Sequence, residues 1–258
     1  MQPLLDGDIL VYVAGSVAEY GWDEIPPFSV AESFLVDRID KICAAVGATH
    51  PPIIYLTGRD NFRNAIAKRK PYKGNRKDVV KPYHYRNLVV YLKGVYGAIV
   101  VEGMEADDAM CIEQTKRLKD MDTIICTRDK DLRQCPGWHY GWESGKQGEF
   151  YPQIVDDLGY IELEKGKIRG VGSRFFYSQL ITGDTVDNIP GVPKAGPVKA
   201  FKTLEGLSTD IEMYNAVLSL YQEMYGEYAE DELLEQAQLL WMVRELNSDG
   251  SPIMWRKP

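Results

Sequence analysis

Short apolar runs at 3–5, 53–56, 98–101 and 123–126 alternate along this chain with stretches of helical period. The runs are rich in Ile, Val and Leu and lack polar alternation, the pattern of strands buried on both faces of a parallel sheet. Strands alternating with helices build an α/β fold. Helices are expected at 9–20, with Asp8 as the cap, and at 30–46, where Phe34, Ile39 and Ile42 lie on the apolar stripe. Others are expected from 105 to about 118, at 175–181, and in the amphipathic stretches 218–225 and 233–243. Residues 63–70 suit one or two helical turns before Pro71, 82–93 a basic helix, and 136–150 a hairpin or short strands.

Acids follow three of these runs. Asp6 and Asp8 follow the first, Glu105, Asp107 and Asp108 the third, and Asp129 and Asp131 the fourth; Asp184 and Asp187 form a further pair. Each group taken alone is explained by a helix cap or an Asx-turn. As a set they call for another cause, because ligand crevices in open α/β sheets lie outside the carboxyl ends of the strands. Two carboxylates 4 Å apart repel by roughly 4 kcal/mol at an effective dielectric of 20, whereas a helix dipole returns about 0.3–1 kcal/mol. Convergence of these acids therefore implies divalent cations. All-oxygen ligands suit Mg²⁺ or Mn²⁺ rather than zinc, and paired ions of this kind clamp a phosphodiester.

The chain has 258 residues, 45% of them hydrophobic, and a net charge of −8. That size supports one large core, or a core with a satellite, and the charge argues against a general nucleic-acid coat. Four cysteines without C-x-x-C spacing and three scattered histidines argue against structural zinc. No basic n-region with an apolar core opens the chain and no run of about 18 apolar residues occurs, so neither a signal peptide nor a membrane span is expected. Against the acidic total, residues 59–94 hold eleven Lys or Arg and two acids, with Tyr72, Tyr83, Tyr85 and Tyr91 interleaved. Lys and Arg neutralise phosphates, and Tyr can stack on an exposed base. Residues 205–243 are the opposite: nine acids and no Lys or Arg, read as scaffold or a partner surface.

Residues 183–200 carry Gly191 and Gly196 in a turn between two expected helices, with Lys194 and Lys199 beside them. A plain helical hairpin explains the turn alone. A turn of this kind can also present backbone N–H groups and a helix N-terminus to phosphate.

In this order, the three constellations resemble the 5′-nuclease family of phage 5′→3′ exonucleases, flap endonucleases and the 5′-nuclease domains of bacterial DNA polymerases. The likeness runs from Asp6 to about Ala200. It rests on Asp6-Gly7, on Phe62-Arg63 followed by Tyr72-Lys73-Gly74-Asn75-Arg76, on Glu105-Ala106-Asp107-Asp108, on Asp129 and Asp131, and on Gly183-Asp184 to Gly191-Val192. Two departures stand out. The family often places an Asp at the end of the second strand, where this chain reads Leu56-Thr57-Gly58, with Asp60 as a candidate stand-in; and Lys194 stands where a Gly is usual.

The resemblance implies a PIN-like, Rossmann-type parallel sheet with helices on both faces, followed by a helix–three-turn–helix and a C-terminal helical region. It implies a catalytic domain over 1–180 with a short basic arch at about 68–95, and a DNA-binding and helical region over 181–258. Asp6, Glu105, Asp107 and Asp108 would hold a first Mg²⁺ or Mn²⁺, and Asp129, Asp131, Asp184 and Asp187 would surround a second. Lys73 and Arg76 would act on the scissile phosphate, with Asp107 and Asp129 also counted as catalytic, and Tyr72 would stack on the terminal nucleotide. Arg63, Arg69, Lys70, Lys81, Arg86, Gly191, Val192, Lys194, Gly196 and Lys199 would contact substrate, with K⁺ at the turn. The implied activity is 5′→3′ exonucleolytic hydrolysis at ends, nicks or RNA primers of duplex DNA, with flap cleavage beside it. A monomer in the cytoplasm of a bacterial or phage-infected cell is expected, with replication proteins as partners. The alternatives are a PIN-class ribonuclease and a non-catalytic, structure-specific DNA-binding protein.

Overall fold

The computed structural model describes all residues except Trp22, Lys77, Asp78 and Lys146; Lys77 and Asp78 of the basic stretch therefore lie outside the described residues. In chain order the elements are β1 (Gln2–Asp6), α1 (Gly7–Glu19), α2 (Phe28–Ala45), β2 (Ile53–Thr57), α3 (Arg63–Ile66), α4 (Tyr85–Val95), β3 (Ile99–Val101), α5 (Ala106–Lys116), β4 (Thr123–Cys126), β5 (Gly137–Gly141), β6 (Phe150–Val155), β7 (Tyr160–Glu164), β8 (Lys167–Val171), α6 (Gly172–Thr182), α7 (Pro197–Leu204), α8 (Asp210–Tyr225) and α9 (Ala229–Leu240). The chain forms two compact units that interleave. The first is Met1–Asp60, Val79–Lys130 and Gly137–Ile154; the second is Asn61–Asp78, Asp131–Pro136 and Val155–Pro258.

The first unit is built on a sheet of order β3-β2-β1-β4-β5-β6. The pairs β1–β2, β1–β4, β2–β3 and β4–β5 are parallel. Leu5, Ile54, Leu56, Ile124 and Cys126 share a core with α1, α2 and α4, through Leu10, Leu35, Ile39, Leu88 and Leu92. Side chains alternate across a strand, so Leu4 and Ile125 face the other way. Burial on both faces explains why β1 and β4 read as unbroken apolar runs. The expected basic helix is present as α4, beginning at Tyr85.

The second unit packs α6 to α9 around Phe176, Leu180, Ile181, Met213, Val217, Tyr221, Leu233 and Ala237, with Tyr72 in the same core. The antiparallel ribbon β7–β8 belongs to it. Among the described residues no helix is long and apolar enough to cross a membrane.

Candidate active site and nucleic-acid interface

In the first unit β1 passes into α1 without a loop, and the residue at the junction is Asp6. Its Oδ1 accepts from Ile9 N at 3.1 Å, making Asp6 rather than Asp8 the N-cap. The expectation for Asp8 fails because the last strand residue is already the cap. Asp6 Oδ2 accepts from the Thr127 hydroxyl at 2.8 Å, and Thr127 Oγ1 accepts from Asp129 N at 2.9 Å. Asp8 reaches sideways: its Oδ2 accepts from Thr57 N at 3.0 Å, while Thr57 Oγ1 accepts from Ala106 N at 3.0 Å. Glu105 caps α5 and forms a capping box with Asp108, whose Oδ2 accepts from Glu105 N at 3.1 Å. Asp108 is fully buried and Asp107 half-buried beside it.

These placements set the electrostatics. Asp6 is 2% exposed. Burial first, and the Asp8 charge second, push its carboxyl up to about 6, against the pull of its hydrogen bonds from Ile9 and Thr127. Burial likewise raises Asp8, and the Glu105 charge adds to this, while the Thr57 bonds and Lys81 oppose it. Asp8 thus lies within electrostatic reach of both Asp6 and Glu105, and a hard cation relieves such a set. Among the described residues no three His, Cys, Asp or Glu side chains form a ready-made cage. Mg²⁺ does not need one, since it keeps several waters and binds through one or two carboxylates plus phosphate oxygens. The donor chemistry therefore fits. Lys81 lies with Nζ 4.1 Å over the Tyr85 ring, and Arg86 is exposed on α4. Asp60 is exposed with φ 61°.

In the second unit the Tyr-Lys-x-x-Arg segment docks on the turn after α6. Lys73 N donates to Asp187 O at 3.0 Å, Asn75 Nδ2 to Thr185 O at 2.6 Å, and Asn188 Nδ2 to Pro71 O at 2.9 Å. Arg76 Nη2 lies 2.7 Å from Asp187 Oδ1, Lys73 Nζ lies 3.9 Å from the same atom, and the Tyr72 hydroxyl donates to Oδ2 at 2.9 Å. Two motifs more than a hundred residues apart thus converge on one carboxylate. Asp184 is buried, and its Oδ1 accepts from Val186 N at 2.8 Å. Asp131 Oδ1 accepts from Gln179 Nε2 at 2.6 Å.

Several expected substrate contacts are structural instead. Arg63 is 0% exposed; its Nε donates to Leu239 O at 2.9 Å and its Nη2 to Trp241 O at 2.7 Å. The α9 terminus needs those carbonyls satisfied, and Arg63 is consumed in doing so. Tyr72 carries its ring into the core rather than presenting it to a nucleotide. Arg69 pairs with Glu232 at 2.5 Å and stacks 4.9 Å over Tyr225. In the turn, Gly191 N donates to Gln236 Oε1 at 2.8 Å, Val192 N to Ile181 O at 2.9 Å, and Ala195 N to Val192 O at 3.0 Å. Those amides close the hairpin and are spent on it, and the Val192 side chain is core. Lys70, Lys194, Gly196 and Lys199 are exposed. An open hollow of about 580 Å³ is lined by Gly196, Pro197, Val198, Lys199, Lys202 and Thr203. Lys194 has φ 63°, a left-handed conformation that glycine adopts without cost, which explains why glycine suits this place.

Thr127, Gln179 and Gln236 are not marked by the sequence motifs, and Thr57 is marked only as the residue that stands where the family often places an acid. Both threonines sit at the carboxyl ends of apolar runs, which was a legible signal. The glutamines sit inside helices, where nothing local marks them.

No family model matches the chain. The fold is shared with a zinc-bound T5 5′-exonuclease, at a TM-score of 0.61 over 93% of this chain and 89% of that one, with 16% identity. Among curated relatives, a DNA polymerase I of Pseudomonas aeruginosa is 28% identical over 162 residues, 58% of this chain and 16% of that protein. A 5′-3′ exonuclease of Buchnera aphidicola subsp. Schizaphis graminum is 27% identical over 179 residues, 64% of this chain and 55% of that protein. A flap endonuclease Xni of Shewanella baltica is 23% identical over 222 residues, 83% of this chain and 80% of that protein. The chain therefore spans less than two thirds of the first two relatives. In sequence and fold the chain is thus similar to proteins named as 5′-3′ exonucleases and flap endonucleases.

Proposed function

We propose that the protein is a divalent-metal-dependent 5′→3′ exonuclease acting on 5′ ends, nicks or RNA primers of duplex DNA, with flap cleavage as a second activity. The observation that carries this reading is the set of acids at the ends of parallel strands in the first unit, where the Asp8 charge raises the proton affinity of Asp6 and the Glu105 charge that of Asp8. In that unit Asp6, Glu105, Asp107, Asp108 and Asp129 are the proposed cation ligands; in the second unit they are Asp131, Asp184 and Asp187. Bound Mg²⁺ or Mn²⁺ supplies a more acidic water and neutralises charge on a phosphodiester. Lys73 and Arg76 steady phosphate charge. The exposed Lys194 and Lys199 grip duplex backbone, which gives affinity without base readout. Thr127 holds Asp6 and the Asp129 backbone in place.

The test supplies the purified protein with 5′-labelled blunt, nicked, flapped and RNA-primed duplexes, with Mg²⁺, Mn²⁺ or chelator. Mononucleotide or short products from the 5′ end are expected with metal only. Cleavage that continues in chelator, or in an Asp129→Asn variant, refutes the proposal. Cleavage confined to single-stranded RNA would assign a PIN-class ribonuclease, and binding without cleavage a non-catalytic DNA-binding protein.

A further inference from the structure

We propose that Asp8 is a cation ligand of the first unit and that Thr57 is the positioning residue that holds it. This rests on the function proposed above and adds a carboxylate that the family resemblance does not assign. The family's acid at the end of the second strand has no counterpart at Leu56-Thr57-Gly58. A side chain at Gly58 would meet Val101 O at 2.7 Å, so that position cannot carry one without a backbone shift. The structure brings a carboxylate to this strand end from the first turn of α1 instead. Asp8 Oδ2 lies 3.0 Å from Thr57 N.

The approach depends on Gly7. A Cβ there would stand 2.5 Å from Tyr55 O, so the first turn of α1 presses on β2 only because residue 7 lacks one. Thr57 then works on two sides. Its amide donates to Asp8, and its hydroxyl oxygen accepts from Ala106 N at 3.0 Å, the first helical residue after Glu105. One strand-end residue therefore fixes Asp8 relative to the start of α5, where Glu105 and Asp107 sit. Asp60, the sequence alternative for the missing acid, stands exposed three residues further on.

The test measures Mn²⁺ binding to the full chain without DNA, by calorimetry and by the metal-induced rise in Tm. Asp8→Asn is expected to weaken Mn²⁺ binding tenfold or more. Thr57→Val is expected to weaken it by about tenfold, the range typical of outer-sphere partners, and Thr57→Ser to restore it. Asp60→Asn is expected to bind as wild type does. Circular dichroism in chelator confirms that each variant is folded; if Asp8→Asn is not, Asp8→Glu replaces it, with the same expected loss. Unchanged affinity in the Asp8 variant, or a loss in Asp60→Asn instead, overturns the proposal. Equal weakening in Thr57→Val and Thr57→Ser overturns the positioning role of the hydroxyl. A wild-type protein that takes up no Mn²⁺ at all overturns the proposed function itself, a result separate from the variant pattern.

Discussion

Asp6 performs two tasks that oppose each other. As an N-cap it stabilises α1 by about 1 kcal/mol; as a buried acid it costs energy whenever it is charged. Its folded-state pKa is about 6, above the ordinary carboxylate value. The folded protein therefore binds this proton more tightly than the unfolded chain does. The resulting stability is present in full below about pH 4 and is lost as pH rises through about 6. Asn caps a helix as well as Asp and carries no charge. Asp6→Asn should accordingly be more stable than wild type in chelator near neutral pH, by on the order of 2 kcal/mol. The gap should close as pH falls toward 4, and the variant should show little stabilisation by Mn²⁺. Thermal melts across pH, with and without Mn²⁺, read all three effects. Arg63 makes a contrasting case. Its removal leaves two carbonyls near the end of α9 without their donor, so Arg63→Ala should cost on the order of 3 kcal/mol. Urea melts would show a lower midpoint, and a midpoint equal to wild type would contradict the structural role found for this residue.

At the level of elements, the strand-to-helix junctions shape the first unit's site. The β1–α1 junction has no loop, and α5 opens on its capping box, so acids placed there cap and cluster together. The turn after α6 shows a similar economy. Gly183 and Gly191 have φ 71° and 66°, and a Cβ on Gly191 would lie 2.2 Å from Gly183 N. Gly191→Ala should therefore cost more than about 3 kcal/mol and show as a fall in Tm. Lys194→Glu with Lys199→Glu should leave Tm nearly unchanged. It should weaken duplex binding for every sequence and reduce the slope of log affinity against log salt by about 1–2. An unchanged slope would remove these lysines from the interface. The acid groups, the basic segment and the glycine turn were all legible in the sequence, because each is a local pattern. Whether a given N–H faced solvent was not, since Gly191 N is satisfied by Gln236, 45 residues away.

On the scale of the whole molecule, the compact units interleave along the chain. Phe176, Tyr177 and Leu180 of α6 lie in a core whose buried residues mostly follow 188, with Tyr72 the earlier contributor. A fragment ending at residue 180 should therefore be insoluble or readily proteolysed, whereas the full chain resists. The acidic stretch and the basic segment are likewise reconciled by placement, with Arg69 paired to Glu232 and the amides of Lys68 and Arg69 donating to Glu235. The sequence by itself determined the α/β class, the strands that carry acids and the motifs that mark a 5′-nuclease likeness, because period, apolar runs and motif spacing are properties of neighbouring residues. Only the tertiary structure decided that Asp6 caps while Asp8 turns to Thr57, that Arg63 and Tyr72 are consumed in a core, and that Arg76 meets Asp187. Those outcomes depend on which distant groups compete for each hydrogen bond, and that competition is settled only when the chain has packed.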